Sequence, residues 1–348
     1  MSYFRKNIEA TDGYTPGEQP QDGDYVKLNT NENPYPPSPC VVEAIVEAAR
    51  QRLRKYPDPV ADEARRAIAR LCQAELDNVL CGNGSDDLLS IAVRTFVDPG
   101  QALATPYPTY SLYETLAQLQ DARLESHPCG EGFALPVEKL AASKAPLVIV
   151  ANPNAPTGVA AATADLQRIA AAIPGVLLVD EAYADFADAN ALALARSRPN
   201  VLVMRTLSKS YSLAGLRFGY LLGSRELIQG LMKVKDSYNC DVLSIVAARA
   251  ALEDQAWMQV NVARIRSERT HLTAELRSLA FTVLESQANF VLARPPRGDA
   301  AALYEKLKRR HILVRYFSRP RVDEYLRITV GTPEENGRLL AELNQLLS

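Results

Sequence analysis

The 348-residue sequence has five cysteines and three histidines, and neither is arranged for chemistry that needs such residues in groups. Cys40, Cys72, Cys81, Cys129 and Cys240 form no C-x-x-C pair, which excludes a zinc knuckle or disulfide framework and points to a reducing compartment. His127, His271 and His311 are dispersed, so a metal site or a Ser-His-Asp mechanism is poorly supplied, and His311, beside the charged run 306–310, is expected at the surface. No apolar run approaches the length of a membrane span, and the first residues lack the apolar core of a signal peptide; no membrane association is expected, and the cytoplasm is the expected compartment. A formal net charge of -2 gives no electrostatic reason to expect nucleic acid as a partner. Any anion site must be local. What remains, 47% hydrophobic and 23% charged residues, is the composition of a globular protein large enough for one large and one smaller domain.

Residues 1–39 are rich in Pro, Gly, Asn and Asp and have no helical period, but they carry Tyr3, Phe4, Tyr14, Tyr25 and Tyr35, so they read as an arm packed on the rest of the chain. Apolar residues at helical spacing predict helices from Cys40 to Tyr56, ended by Pro57, and from Asp62 to Cys72. Short apolar strands at 102–105, 147–151, 176–180 and 201–204 then alternate with helices, which predicts an α/β fold with a doubly wound, mostly parallel sheet. A strand at 218–222 follows. A long helical stretch from Ile245 to about Leu279 carries the single tryptophan, Trp257, read as packing. Beyond it come strands at 281–284, 290–292, 312–316 and 325–330 and helices at 300–310 and from Pro333, a smaller α/β domain. The expected division is an N-terminal arm at 1–39, a large domain at 40–245 and a small domain at 246–348.

The chemistry concentrates at strand ends. Arg205-Thr-Leu-Ser-Lys-Ser-Tyr-Ser-Leu-Ala-Gly-Leu-Arg217 follows the apolar strand at 201–204, placing Lys209 on the sheet edge where open α/β folds bind ligands. A lysine desolvated there has a lowered pKa and a neutral amine able to form a Schiff base. Thr206, Ser208 and the guanidinium of Arg217 suit a phosphate, and together these parts describe a pyridoxal phosphate site. The plain alternative is a surface lysine in a polar loop.

Gly82-Asn-Gly-Ser-Asp-Asp87 is a glycine turn opening a helix, either a phosphate cradle or an ordinary capped helix start. Asp180, at the end of an apolar strand, is costly to bury without a cation, and a pyridinium nitrogen supplies one; a helix N-cap is the other reading. Tyr183, three residues on, is placed to donate to a ring oxygen. Tyr110 in Pro108-Thr-Tyr110 can stack on a cofactor or pack in the core. Asn152-Pro-Asn-Ala-Pro-Thr-Gly158 is a rigid turn in which Ala155–Pro156 is a candidate cis bond. Arg315 and Arg327 lie inside apolar strand patterns, where a guanidinium needs an anion, from a substrate or from a structural carboxylate.

Over nearly its whole length the chain resembles the fold-type I pyridoxal phosphate-dependent aminotransferases, through Leu28-Asn-Thr-Asn-Glu-Asn-Pro-Tyr-Pro, Lys55-Tyr-Pro-Asp-Pro, Gly82-Asn-Gly-Ser-Asp-Asp, Pro108-Thr-Tyr, Asn152 to Gly158, Val179-Asp-Glu-Ala-Tyr-Ala-Asp-Phe, the Lys209 segment, Ala288-Asn-Phe-Val-Leu and Leu326-Arg-Ile-Thr-Val-Gly-Thr. The resemblance implies that Lys209 carries the cofactor and shuttles the proton, with Asp180 at the ring nitrogen and Tyr183 at the ring oxygen. It places Gly84, Ser85, Asp86, Thr206, Ser208 and Arg217 around the cofactor phosphate and Tyr110 on the ring. It implies a homodimer with shared sites, in which Tyr56 reaches the neighbouring subunit's phosphate. The family commonly has asparagine directly before Pro-Thr-Gly; here that residue is Ala155, and the ring contact is carried over to Asn154, with Asn152 or Tyr183 alone as the alternatives. Arg327 and Arg315 are implied to bind a substrate phosphate in one half-reaction and the glutamate carboxylate in the other, with Tyr14 of the arm closing over them.

Within the family, the implied reaction is amino-group transfer from L-histidinol phosphate to 2-oxoglutarate. The rivals are aromatic amino acid transamination, then decarboxylation of threonine phosphate, which the Lys209 segment disfavours. A non-catalytic ligand-sensing regulator would need a DNA-binding module that residues 1–39 are too short to supply.

Overall fold

The computed structural model describes residues 2–14, 17–20, 23–296 and 298–347. Its strands in chain order are β1 (Val26–Lys27), β2 (Val79–Gly82), β3 (Ala102–Tyr107), β4 (Arg123–Pro128), β5 (Leu147–Ala151), β6 (Val176–Asp180), β7 (Val201–Thr206), β8 (Gly219–Gly223), β9 (Thr282–Val283), β10 (Phe290–Arg294), β11 (Ile312–Leu313), β12 (Arg315–Tyr316) and β13 (Leu326–Thr329). A seven-stranded sheet runs β2-β8-β7-β6-β5-β3-β4, parallel from β7 to β4 and antiparallel on both sides of β8. A second sheet, β12-β13-β10-β9, is antiparallel. In the third, β1 pairs parallel with β11, so the N-terminal segment is stitched to a strand near residue 312.

Both faces of the large sheet are covered, and successive residues of its strands feed opposite layers. Leu177, Val179, Val201 and Val203 point into one, with Ile68, Leu166, Ile169 and Ile245 from helices Asp62–Cys72, Thr163–Ala172 and Val242–Glu253. Leu178, Leu202 and Met204 point into the other, with Leu88, Ile91 and Leu116 from helices Gly84–Phe96 and Leu112–Leu119. This alternation settles where side chains at the strand ends go: Asp180 continues the second layer and Glu181 the first.

Four elements differ from the pattern read in the sequence. The single strand expected at 312–316 is two, β11 and β12, which pair with β1 and β13 in different sheets on either side of buried Val314. The helix expected from Ile245 to Leu279 breaks at Asp254, whose side chain accepts from Trp257 N at 3.3 Å and caps a new helix, Gln255–Ser278. Trp257 is partly exposed and donates through Nε1 to Pro36 O at 3.1 Å. The edge strand β4, Arg-Leu-Glu-Ser-His-Pro, has a charged pattern that carries no apolar signal. In the arm, Lys6–Glu9 forms a short helix. His311 is exposed and stacks on Tyr25. Among the described residues no helix is long and apolar enough to cross a membrane.

Candidate active site

Neighbouring strands β3, β5, β6 and β7 end along one edge, and the segments leaving them line a cavity of about 820 Å³. Lys209, Asp180, Tyr183, Thr206, Ser208, Ser85, Asp86, Tyr110, Arg217, Arg315, Arg327 and Tyr14 all face it. Residues spread from 14 to 327 are thus gathered at the carboxyl ends of the strands, the expected crevice of this fold class.

Lys209 lies three residues beyond β7, in a buried turn. Its Nζ donates to Thr30 O at 3.2 Å, while Asn33 Nδ2 donates to its carbonyl at 3.1 Å. Burial pushes the amine down to about 8, and the nearby Arg327 guanidinium adds to this, against the pull of Glu32 and Asp86. At pH 7 roughly a tenth is then uncharged and nucleophilic, far more than for an ordinary lysine.

Asp180 is buried and has no cationic partner among the described residues. Oδ2 accepts from the Tyr113 hydroxyl at 2.7 Å and Oδ1 from Ala182 N at 3.1 Å. Burial raises its carboxyl to about 6, opposed by those two hydrogen bonds. Tyr183 Oη accepts from Asn31 Nδ2 at 2.9 Å, so its own proton is left to donate into the cavity. Burial also pushes the Tyr183 hydroxyl upward, keeping it a donor. Asn31 holds a left-handed backbone, φ 56°, fixed by Thr329 Oγ1 on its N–H at 3.0 Å and Asn289 Nδ2 on its carbonyl at 2.9 Å.

At the other end of the cavity, helix Gly84–Phe96 begins without a side-chain cap, leaving first-turn N–H groups available to an anion. Gly84 has φ +80°, which strains any side chain, and a Cβ there would lie 2.7 Å from Arg217 Nη2 and displace the guanidinium. Arg217, itself left-handed at φ 54°, reaches Asp86 Oδ2 at 3.2 Å and Ser208 Oγ at 3.5 Å. Thr206 Oγ1 donates to Ser208 Oγ at 3.0 Å. Hydroxyls, guanidinium and helix start converge here.

The paired register of β12 and β13 sets Arg315 opposite Arg327. Arg327 donates through Nη2 to Asn29 O at 2.8 Å, sits over Phe290 and Phe317, and keeps a buried Nε with no partner. Burial lowers its pKa, so the site favours an anion. Arg315 stacks on Phe317. Tyr14 meets Tyr110 edge-on with ring centres 5.8 Å apart, and Tyr110 meets Tyr113 likewise at 5.6 Å.

Two expected residues are elsewhere. Asn154 does not line the cavity: its amide donates to Pro108 O and Thr157 Oγ1 and its oxygen accepts from Thr109 Oγ1. Asn152 is bonded both ways to Ala161. Ala155, after which the peptide to Pro156 is cis, does line the cavity. Tyr56 is 82% exposed and stacks on Tyr238 outside the cavity of its own chain. Conversely, Tyr113 and Asn31 touch Asp180 and Tyr183 but do not stand out in the sequence, one a core aromatic of a helix and the other one asparagine among three.

The profile of the aminotransferase class I and II family matches residues 23–343. The chain is 46% identical over 347 residues to histidinol-phosphate aminotransferase 1 of a Nostoc species, covering 99% of this chain and 98% of that protein. It is 45% identical over 346 residues to the histidinol-phosphate aminotransferase of a Synechocystis species, covering 99% of both. The crystal structure of histidinol-phosphate aminotransferase from Sinorhizobium meliloti in complex with pyridoxal-5'-phosphate superposes with a TM-score of 0.90 at 27% identity, covering 100% of this chain and 98% of that one.

Proposed function

Since the chain belongs to the aminotransferase class I and II family, we propose that it is a pyridoxal phosphate-dependent enzyme transferring the amino group of L-histidinol phosphate to 2-oxoglutarate in histidine biosynthesis, giving imidazole acetol phosphate and glutamate. The observation that carries the substrate is Arg327, half-buried near Lys209 with a buried, unpartnered Nε and Arg315 across the ladder. Such a pocket suits a phosphate or a carboxylate.

The residues present fit the cofactor. Asp180 is a buried carboxylate without a cation, suited to a cationic ring nitrogen; Tyr183 has a proton to offer a ring oxygen; Tyr110 presents an aromatic face. Gly84, Ser85, Asp86, Thr206, Ser208 and Arg217 would hold the phosphate. When bound, pyridoxal phosphate supplies the electron sink that lets the substrate's α-proton leave. Lys209 Nζ, uncharged in part near neutrality, takes that proton and is the group placed to return it. Arg327 and Arg315 orient the substrate by its anionic end, which fixes the α-carbon relative to Lys209. Tyr14 screens the cavity mouth from water.

Three further parts belong to the same reading. The functional unit is a homodimer: the stacked Tyr56 and Tyr238, and Val42 and Val46 one turn apart on helix Pro39–Gln51, are exposed apolar side chains suited to burial against a second copy, and Tyr56 of one copy would complete the phosphate site of the other. The arm, large domain and small domain divide near residues 39/40 and 245/246, the second boundary falling inside helix Val242–Glu253. The compartment is the cytoplasm, in keeping with five free cysteines.

A single-turnover half-reaction followed by cofactor absorbance, with histidinol phosphate, phenylalanine and threonine phosphate offered separately, tests the substrate. Fastest conversion of histidinol phosphate is expected. Preference for phenylalanine, or carbon dioxide from threonine phosphate, would overturn it.

A further inference from the structure

The carboxylate at the floor of the cavity is held by a residue to which neither the family motifs nor the chemistry above gives a part. We infer that Tyr113 is a positioning residue: its phenol, wedged against Tyr110 and hydrogen-bonded to Asp180, fixes that carboxylate in one orientation as the acceptor for a cationic ring nitrogen. The inference rests on the cofactor placement proposed above.

Tyr113 lies in the first turn of helix Leu112–Leu119 and is 1% exposed. Its N–H donates to Tyr110 O at 3.2 Å, and the two rings meet at 85°. A phenol so enclosed has one orientation, and its hydroxyl donates to Asp180 Oδ2 at 2.7 Å. The other oxygen, Oδ1, accepts the Ala182 N–H at 3.1 Å. The carboxylate is therefore gripped at both oxygens by neutral donors. A cation in the place of Tyr113 would satisfy the charge within the protein and weaken its attraction for a ligand; a phenol orients it and leaves the charge uncompensated.

The other titratable groups around this pair are Asp86, Tyr183, and Tyr110 against the Tyr113 ring, with Glu181 acting through the sheet from its other face. None stabilises a negative charge by its own charge. Burial drives the Asp180 carboxyl up to about 6, and the Tyr113 hydrogen bond is the foremost influence holding it down. Burial and the adjacent carboxylate keep the phenol itself protonated far above neutral pH. Without the donor, Asp180 would take up its proton at a higher pH and lose its fixed direction.

The test is titration of apoprotein with pyridoxal phosphate across the pH range in which Asp180 ionises, for wild type, Tyr113→Phe, Asp180→Asn and the double variant. Tyr113→Phe is expected to bind about tenfold more weakly at neutral pH, and the midpoint below which affinity is lost is expected to move to higher pH. In the Asp180→Asn background the same substitution is expected to change neither quantity. Unchanged affinity and midpoint in Tyr113→Phe, or an equal loss in both backgrounds, would overturn the positioning role. Failure of wild type to bind pyridoxal phosphate would instead remove the cofactor reading. If Tyr113→Phe does not fold, 3-fluorotyrosine at position 113, a stronger donor, is expected to move the midpoint down; an unmoved midpoint overturns the inference.

Discussion

Asp180 and Glu181 are consecutive at the end of β6, both are buried, and they face opposite sides of the same sheet into opposite surroundings. On the far side, Glu181 receives the Arg205 guanidinium at 2.7 Å and the Ala191 N–H, Arg205 also reaches Asp185 at 2.8 Å, and Asp185 takes the Ser210 hydroxyl. Burial opposes the charge on Arg205, but Glu181 and Asp185 overcome it and hold the guanidinium ionised. On the cavity side, Asp180 has only the neutral donors Tyr113 and Ala182 N–H, and Arg327 keeps a bare Nε. One face has settled its charges within the protein; the other keeps them for a ligand. A buried charge without a partner marks function more surely than a buried charge as such.

The contrast predicts that substitutions on the cavity face change chemistry and those on the far face change stability. Lys209→Ala should lower turnover by more than about 10⁴-fold while the protein still folds and binds pyridoxal phosphate, measured by steady-state rate and absorbance titration. Multiple turnovers near the wild-type rate would remove Lys209 from the mechanism. Asp180→Asn should cost about 10²–10³-fold in kcat, with the opposite sign in stability. Its folded carboxyl titrates near 6, above the ordinary 3.8, so the apoprotein's stability from this group is full below about pH 4 and lost as pH rises through 6. The uncharged amide avoids that loss, and Asp180→Asn apoprotein should unfold later than wild type at pH 7, by on the order of 2 kcal/mol.

Glu181→Gln should do the reverse, destabilising by about 3 kcal/mol in urea with kcat within a few-fold of wild type, because Arg205 loses its buried partner. Equal effects of the two substitutions on kcat would abolish the distinction between the faces. Arg327→Lys, keeping charge but losing the fork, should raise KM for both substrates by about tenfold. The smallest effect is in pH: capture of pyridoxal phosphate by apoprotein should quicken as pH rises toward 8 and then level off, following the neutral fraction of Lys209 Nζ.

The doubly wound sheet was legible because buried parallel strands are short, uniformly apolar runs between helices; β5 and β6 have the limits read in the sequence. Lys209, Asp180 and Arg217 stood out because each puts an ionisable group against an apolar strand end. What could not be read depends on partners distant in the chain. The split at Val314 follows from β1 and β13 competing for one run, and Tyr113 looks like any core aromatic until Asp180 is brought beside it. Asn154 shows the opposite: its place beside the Pro-Thr-Gly turn suggests the cavity, but three hydrogen bonds turn its amide to Thr157 and to Pro108 and Thr109 of the neighbouring loop.

The stitching of β1 to β11 bears on how the protein is made. Val26 pairs with Ile312, the Asn31 N–H reaches Thr329 across 298 residues, and Thr30 O is the acceptor that holds Lys209 Nζ. During synthesis at about 5–20 residues per second, the segment from 26 to 31 emerges early and waits roughly 15–60 s for its partners. Until then the cavity lacks a wall and the Arg327 guanidinium. Lys209, made after the N-terminal segment, remains an ordinary solvated lysine while the remainder of the chain is synthesised, and becomes a reactive amine only when the two distant parts of the polypeptide meet.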